Sequence, residues 1–504
     1  MSVTARATSS LSRFPPHWRL FSVALLGLLV VSLWLRARTP ATPQPVRVAA
    51  RPSSIAVLPF IDTNPDSADD YLGHGFVTEL TRALAELPGL AVAAPVSRAG
   101  GTGDPLTLGN RLEVGTILEG TIRRAGNRLR ITAHLVDVGE GFDLWSETYD
   151  RHSADLLPVQ RDIAAAIAGT LRLEGADTAA ALVRQPTWSA EAYDAYLAGS
   201  YLLTRSGPND AEMAVQHFSR AVRLDTSFAL AHAALAEAQM PRFREQLPPR
   251  LTMLTAESAA LRALQLDSTL ASPHRTLGQI RFGYHRDWPA AEAEFRRALE
   301  LDPKSPEGYQ TFSRFLLAMG RTAESLAMSE RAVELSPLSS VAQEQLGWHH
   351  LHARELDRAR EALARAIELD STNWRAYFDL ALLEQVAVNY GQARVHLEQA
   401  GRHAPLRLEL RVAFAQLLAL SGQPDSARAY MQGFRPPLWR VPPYLEACVQ
   451  SALGERTKAF TSLDRAVAER SDLIPYLRID PRLDPLRGDS RFARLIRKLR
   501  LPPP

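Results

Sequence analysis

Three histidines close together in the sequence are the residues whose types and spacing come nearest to a metal site. His349 and His352 are three residues apart, so a helix would put both side chains on one face. Glu355 is close, but no carboxylate or cysteine completes a plausible set of four ligands. These histidines, with His350 between them, fit ordinary helix positions better, and we predict no metal site.

Other catalytic chemistry has equally little support. Cys448 is the single cysteine, and the sequence places no activating base beside it. The glycine-rich loop at 100–103 lacks the Gly-Lys-Ser/Thr ending of a phosphate-binding loop, and the chain contains neither a His-Glu-x-x-His pair nor a dinucleotide fingerprint. We therefore predict that the protein is not an enzyme and binds no cofactor.

Composition excludes two further classes. The chain has 504 residues, of which 46% are hydrophobic, so it is long enough for two or more packed domains. Basic and acidic residues nearly balance, at 58 against 55, so nucleic acid is not expected as a partner. A lone cysteine also rules out a disulfide framework within the chain.

Leucines at helix ends recur at a fixed interval in the second half of the chain. Leu301, Leu335 and Leu369 are each 34 residues apart, which is the period of a helix–turn–helix repeat that stacks into a solenoid. Small residues recur three residues before each leucine and seven residues earlier again, where two helices would approach closely. They are Ala221, Ala263, Ala298, Ala332, Ala366 and Ala400, then Ala214, Ala256, Ala291, Ala359 and Ala393, with Ser325 in the remaining slot.

These two columns of alanine resemble the tetratricopeptide repeat family over about residues 189–466. The resemblance implies an all-α solenoid, which we place at 189–480 with about seven to eight repeats, and whose first helices line a concave groove. Aromatic residues beside arginine in such a groove would suit a protein or peptide partner, although Trp348 and Phe378 packing between helices remains the alternative. The groove residues predicted by register are Arg275, Gln279, Arg314, Glu344, Trp348, His352 and Phe378.

A β-rich region precedes the repeats. Residues 54–60 form a short apolar run typical of a buried strand, and residues 128–138 alternate apolar and polar side chains after a Gly-Asn turn. Together with 118–124, 130–137 and 144–151, the first run resembles the TolB-like amino-terminal domain of bacterial tetratricopeptide proteins, over about 52–174. The resemblance implies an α/β domain, which in that family often follows a protein kinase, an adenylate cyclase or a winged-helix DNA-binding domain.

An uncharged apolar run at 20–35 predicts a membrane anchor. Its sixteen residues would span about 24 Å as a helix, against a hydrocarbon core of about 30 Å. Trp18 and Trp34 can sit at the two interfaces, and flanking arginines can reach the headgroups. A cleaved signal peptide is the competing interpretation, but no clear Ala-x-Ala site follows closely. We expect a single-pass protein of the inner (cytoplasmic) membrane with its soluble part in the periplasm.

The predicted fold is an α/β TolB-like domain followed by an all-α tetratricopeptide repeat solenoid, with one transmembrane helix at the N-terminus. The predicted segments are a tail (1–19), the anchor (20–35), a Pro-rich linker (36–53), the α/β domain (54–174), a second linker (175–188), the solenoid (189–480) and a C-terminal cap (481–504). We predict a membrane-anchored, non-enzymatic scaffold for protein or peptide partners. The alternative is the regulatory half of a signalling system whose output domain is a separate chain.

Overall fold

The computed structural model describes residues 51–502, apart from 64–69, 86, 88, 94–103, 153–154, 174–185, 205–208, 245–248, 406 and 434–440. The predicted tail and anchor, most of the Pro-rich linker and the loop at 100–103 lie outside the described residues. Within residues 51–502 and their stated gaps, no helix is both long and apolar enough to cross a membrane.

A six-stranded sheet forms the N-terminal part. The strands are β1 (Arg51–Val57), β2 (Ile61–Asp62), β3 (Ala91–Val92), β4 (Val114–Ala125), β5 (Arg128–Asp137) and β6 (Asp143–His152). Their order across the sheet is β3-β1-β4-β5-β6, and β2 also pairs with β4. β1 runs parallel to β3 and β4, whereas β4, β5 and β6 are antiparallel. β1 begins three residues before the predicted domain boundary at 54.

Alternation along β5 explains how the sheet is covered. Leu129, Ile131 and Leu135 are buried on one face, while the residues between them point to the other face, as strand geometry requires. Helices α1 (Asp70–Ala85) and α3 (Leu156–Thr170) pack on the buried face, and α2 (Pro105–Arg111) packs on the opposite face near Ile117 and Val138.

Sixteen helices follow within the described residues between 190 and 468, as eight antiparallel pairs numbered here 1 to 8. Pairs 1 to 4 are α4 (Ala190–Thr204) with α5 (Asp210–Leu224), α6 (Ala229–Arg244) with α7 (Pro249–Leu266), α8 (Ala271–Ile280) with α9 (Trp288–Leu301), and α10 (Pro306–Ala318) with α11 (Thr322–Leu335). Pairs 5 to 8 are α12 (Ser340–His352) with α13 (Leu356–Leu369), α14 (Trp374–Val386) with α15 (Tyr390–His403), α16 (Leu408–Leu420) with α17 (Pro424–Gln432), and α18 (Pro443–Ala452) with α19 (Arg456–Ala468).

Small residues allow the two helices of a pair to approach closely. Ala359 and Ala366 are fully buried, and a Cβ atom on Gly347 would lie 2.5 Å from the Cγ atom of Leu363. Ser325, the exception in the alanine columns, is also fully buried, and its hydroxyl donates a hydrogen bond of 2.9 Å to a backbone carbonyl of α10. The small residues read from the sequence are therefore the contact points of the helix pairs.

The sheet domain packs directly on the first helix pair. The Tyr196 hydroxyl donates to Glu79 and the Tyr193 hydroxyl donates to Gln160, both at 2.9 Å. Apolar residues of the sheet, of α1 and α3, and of pairs 1 and 2 form one continuous core. The first helix pair is therefore part of the same packed unit as the sheet.

The C-terminal residues 471–502, which we call the strap, do not continue the repeat. They form two short 3₁₀ turns (Ile474–Tyr476 and Pro481–Leu486) and a last helix, α20 (Ser490–Lys498). The Asp489 side chain caps α20 by accepting a hydrogen bond of 2.9 Å from the Arg491 backbone, as expected for a residue that starts a helix. The sequence predicts a terminal cap here, but the strap reaches further along the repeats than a cap does.

Candidate functional site

The first helices of pairs 3 to 6 carry all seven residues that the sequence predicts for a partner-binding groove. We call the surface formed by the first helices of the pairs the inner face. Whether a residue on this face can bind a partner depends on what covers it. α8 contributes Arg275 and Gln279, α10 contributes Arg314, α12 contributes Glu344, Trp348 and His352, and α14 contributes Phe378.

The strap lies on the inner face. The ring of Tyr476 is 5.4 Å from the ring of Trp348 and 5.7 Å from that of Phe282, both in edge contacts. The hydroxyl of Tyr444, on α18, donates a hydrogen bond of 2.9 Å to the carboxylate of Asp480. Because Phe282 follows α8 in pair 3 and Tyr444 belongs to pair 8, the helix pairs curve around the strap and hold it between them.

Four apolar side chains of the strap are buried against the helix pairs. Ile474, Leu477, Leu483 and Leu486 are all fully buried, in one core with residues of pairs 3, 4, 7 and 8. Fully burying one such side chain stabilises a structure by about 1.5 to 3 kcal/mol. The strap is therefore part of the folded core of the repeats.

Asp480 is the polar anchor of the strap. It is 2% exposed, and the Arg482 guanidinium donates to both of its oxygens, with the shortest distance 2.7 Å. Burial alone raises the pKa of Asp480, but the charge and hydrogen bonds of Arg482 outweigh it and lower the pKa to about 2. Asp480 is therefore ionised at neutral pH and bonded on both sides, to Arg482 and to Tyr444.

Trp348 lies at the centre of the strap contact. The Arg314 guanidinium stacks 5.1 Å from its ring centroid, and the His352 ring is 4.1 Å away. Burial lowers the pKa of His352 to about 4, against the opposing charge of Asp480, so His352 is neutral at pH 7. Trp348, with Arg314 stacked on it, thus contacts an aromatic side chain of the same chain, Tyr476.

Glu344 and Phe378 are enclosed between helix pairs. Glu344 and Asp379 are each 3% exposed, and burial, followed by the neighbouring Glu344, raises the pKa of Asp379 well above its usual range. Phe378 packs against the apolar clusters that join pair 6 to its neighbours. For Phe378 the contacts match packing between helices, which is the alternative that the sequence left open.

Further side chains of the first helices are buried in pairs 5 to 8, some by the strap and some by neighbouring helices. Side chains that the same register places inward are buried in each of these pairs. They are Leu351, Leu382, Gln385, Val412, Gln416, Tyr444, Cys448 and Ser451.

Pairs 2 and 3 keep the accessible part of the inner face. The Arg275 guanidinium binds the carboxylate of Glu237, on α6, at 2.6 Å. The Glu237 side chain is 43% exposed, the Arg275 side chain 13%, and Gln279 is half-buried. Arg275 and Gln279 make none of the strap contacts described above.

The residues considered for chemistry are placed as structural side chains. His349 is fully buried, and His350 lies 2.9 Å from Glu355. Burial raises the pKa of the Cys448 thiol to about 12, so it is protonated and unreactive at neutral pH. Among the described residues, no group of three or more potential ligands is positioned to hold a metal ion.

The strap residues that define this site were not identified from the sequence. Tyr476 and Arg482 lie outside the seven predicted positions, because the repeat register says nothing about a segment that leaves the repeat. One signal was present: Asp-Pro occurs twice, at 480–481 and 484–485. Proline after aspartate interrupts regular helix, so these two pairs within the strap indicate that the helical repeat ends there.

Comparison with known proteins gives one partial relative. No protein-family model matches the chain. "Putative adenylate cyclase 3" of Rhizobium meliloti (strain 1021) is 32% identical over 255 residues, which is 48% of this chain and 43% of that protein. The match therefore spans less than half of the relative's own length.

Similarity to solved structures is limited to local packing. YrrB, a TPR protein with an unusual peptide-binding site, is 20% identical, with 38% of this chain and 95% of YrrB covered and a TM-score of 0.27. The human IFIT1 dimer with PPP-AAAA is 15% identical, with 62% and 84% covered and a TM-score of 0.42. Both scores are low, so the assignment of tetratricopeptide-like repeats rests on the helix pairs, their period and their buried alanines. Stacked repeats of this kind create extended concave surfaces.

Proposed function

We propose that the chain is a membrane-anchored scaffold that holds a protein or peptide partner on the inner face of helix pairs 2 and 3. The observation that carries this proposal is the exposed Glu237 carboxylate, which is paired with Arg275 and lies beside the half-buried Gln279. The strap packs on residues of pairs 3, 4, 5, 7 and 8, and the sheet domain packs against pair 1. The ion pair of Glu237 and Arg275 lies outside the strap contacts described above, so a partner can bind there without displacing the strap.

The chemistry of the open stretch suits a polar segment of a protein. The Glu237–Arg275 pair presents one acceptor and one donor group side by side, and Gln279 adds an amide one helical turn away. The positive charge of Arg275 is already neutralised by Glu237, which disfavours a polyanion such as nucleic acid. Anchoring through residues 20–35, with the folded part in the periplasm, completes the proposal.

A photo-cross-linking amino acid placed at Gln279 tests the proposed surface. The full-length chain would be irradiated in native membranes, with the same amino acid at Val395, an exposed residue of α15, as the matched control. We expect a discrete adduct from position 279 alone, and we expect a protease to digest its added mass. No adduct, or the same adducts from both positions, would refute the proposed surface. Removal of the added mass by nuclease would identify nucleic acid in place of a protein.

Charge exchange separates binding from folding. Arg275→Glu leaves two carboxylates side by side, so we expect the adduct at position 279 to weaken by tenfold or more. The double exchange Glu237→Arg with Arg275→Glu restores the ion pair in the reverse sense and serves as the folding control. Recovery of the thermal transition without recovery of the adduct would show that the partner recognises the orientation of the charges.

A second candidate function is favoured by the partial relative. Because that relative is described as a putative adenylate cyclase, this chain is proposed to be the non-catalytic part of a signalling system whose output is a separate chain. The purified chain should then form no cyclic AMP from ATP and Mg²⁺, and the adduct at position 279 should contain a cyclase, a kinase or a winged-helix regulator. Cyclic AMP formation by the purified chain would refute the non-enzymatic assignment.

The membrane topology has a test of its own. A reporter enzyme that is active only after export would be fused at the C-terminus, and a reporter active only in the cytoplasm would be fused in parallel. Activity of the exported reporter alone is expected. Activity of the cytoplasmic reporter alone would reverse the proposed orientation, and the scaffold proposal would then apply to a cytoplasmic partner.

A further inference from the structure

β6 is a long edge strand. It extends over ten residues, Asp143–His152, and within the described part of the chain it pairs only with β5. Its other edge therefore presents a row of backbone N–H and C=O groups without strand partners. Such an edge is a template for pairing with another strand.

The usual protection of an edge strand is weak here. Folded proteins commonly block an exposed edge with proline, lysine, a bulge or a covering element. β6 contains neither proline nor lysine, and the charged residues it carries, Asp143, Glu147, Asp150 and Arg151, are of both signs. Its only irregularity lies at its start, opposite the step from Leu135 to Val136. Six of the seven residues from Ser146 to His152 are exposed, and Tyr149 is the exception. The edge is thus accessible along most of its length.

We propose that β6 pairs with β6 of a second copy of this chain, antiparallel and centred on Thr148. Two identical strands that pair antiparallel around a twofold axis must place one residue opposite its own copy. Thr148 is exposed and polar, and a threonine pair opposite each other is favourable in a sheet. The two six-stranded sheets would then join into one.

The charges along β6 select this centre. With Thr148 on the axis, Trp145 lies opposite Arg151 of the second copy, where a cation can stack on the indole. Glu147 lies opposite Tyr149, whose hydroxyl already donates to the Glu147 of its own strand at 3.0 Å. No two like charges face each other in this register.

The neighbouring centres are less favourable. A centre at Glu147 puts two carboxylates opposite each other, which destabilises a strand pair. A centre at Tyr149 leaves only residues 146–152 within the paired strands, whereas a centre at Thr148 pairs residues 144–152. Shifting by one residue thus either opposes like charges or shortens the ladder.

The size of the contact limits its strength. Nine residues per copy is well below the roughly 20 to 30 residues on each side of a standard stable interface. We therefore expect a dimer that dissociates on dilution and becomes substantial when copies are concentrated.

Thr148→Cys tests the register directly. Opposed residues of an antiparallel pair have Cα atoms about 4.5 to 5.5 Å apart, which is within the range that a disulfide spans. The only natural cysteine, Cys448, is buried, so it does not compete. The purified full-length variant, treated with a mild oxidant, should run as a covalent dimer on a non-reducing gel.

Thr132→Cys is the matched control. Thr132 lies opposite Thr148 on β5, with their hydroxyls 3.2 Å apart, so it is the same residue type one strand further from the edge. Its copy across the proposed axis would be about 14 Å away at normal strand spacing, too far for a disulfide. The proposal would be overturned if Thr148→Cys gave no covalent dimer, or if both variants gave equal amounts of it.

Thr148→Lys provides an independent reading without oxidation. It places two ammonium groups opposite each other on the axis, so we expect the dimer fraction at a fixed concentration to fall by at least tenfold. Thr132→Lys, again one strand away, should leave the fraction unchanged. A Thr148→Lys protein that dimerises like the parent, with the same thermal transition, would also overturn the proposed pairing.

Discussion

Replacing Asp480 by asparagine tests whether the strap is held on the inner face by its buried carboxylate. Asp480→Asn keeps the shape of the side chain and leaves an oxygen that can still accept from Tyr444. It removes the negative charge that Arg482, whose side chain is 14% exposed, faces at 2.7 Å. The variant therefore leaves a nearly buried guanidinium without its counter-charge.

The expected effect is large for a single atom exchange. Removing one partner of a buried ion pair costs about 3 to 5 kcal/mol, and the bond from Tyr444 that survives favours the lower value. With a urea dependence of about 3 kcal/mol per M for a chain of this size, 3 kcal/mol corresponds to a midpoint about 1 M lower. Equilibrium urea unfolding of the full-length chain, followed by circular dichroism, measures this shift.

Asp484→Asn is the matched control for Asp480→Asn. Asp484 lies in the same strap four residues later and pairs with Arg354 at 2.8 Å, but its side chain is 44% exposed and that of Arg354 39%. Exposed pairs of this kind contribute about 0 to 1 kcal/mol. The control should therefore shift the midpoint by no more than a third of the shift from Asp480→Asn.

The pH dependence gives the same prediction a second reading. The pKa of Asp480 is lowered to about 2 in the folded chain, against about 3.9 for an unfolded aspartate. Its ionised form thus stabilises the fold fully above about pH 4, and this contribution is lost as the pH falls towards 2. The difference in unfolding free energy between the parent and Asp480→Asn should be constant from pH 7 to 5 and should narrow below pH 4. Equal shifts of the urea midpoint in Asp480→Asn and Asp484→Asn would refute the inference that the buried carboxylate of Asp480 holds the strap.

Three further predictions concern the helix pairs. Burial lowers the pKa of His349 to about 3, so between about pH 6.5 and 3 the histidine is protonated in the unfolded chain but not in the folded chain. The melting temperature should therefore fall as the pH is lowered through this range, and it should fall less steeply in His349→Gln. Gly347→Ala should lower the unfolding free energy by about 1 to 3 kcal/mol, because its Cβ would meet Leu363 at 2.5 Å. Gly391→Ala, with no atom within 4 Å of the new Cβ, should be neutral or stabilising by thermal unfolding. Cys448, whose thiol pKa is raised to about 12 by burial, should react with a maleimide only after unfolding.

The repeat was predictable because its physics is local and periodic. A small residue is required wherever two helices of a pair touch, and the same geometry recurs every 34 residues. Ala291 and Ala298 carry this signal in one unit, and Ala359 and Ala366 carry it in another. Each of these four alanines is at most 3% exposed. The β4–β5 hairpin was readable for the same reason, since alternation along a strand is a local property.

The strap was not predictable by those means. Its contacts join residues far apart in the sequence, such as Tyr476 with Phe282 and Asp484 with Arg354, and no period links them. Register tells which side chains face inward, and it placed Trp348 and Arg314 in the predicted groove for a peptide partner. It does not tell which chain fills that groove, because this depends on the path of a segment that obeys no repeat.

The depth at which the strap is buried decides how a partner can reach the repeats. Its four fully buried side chains alone contribute about 6 kcal/mol or more, which is comparable to the whole stability of a typical domain, about 5 to 15 kcal/mol. A ligand that displaced the strap would have to bind the opened form about 10⁴-fold more tightly than the closed form to offset that amount. Because typical couplings between two sites are only about 1 to 3 kcal/mol, displacement is the less economical route. A partner is better served by the surface that the strap leaves open, where Arg275 and Gln279 lie.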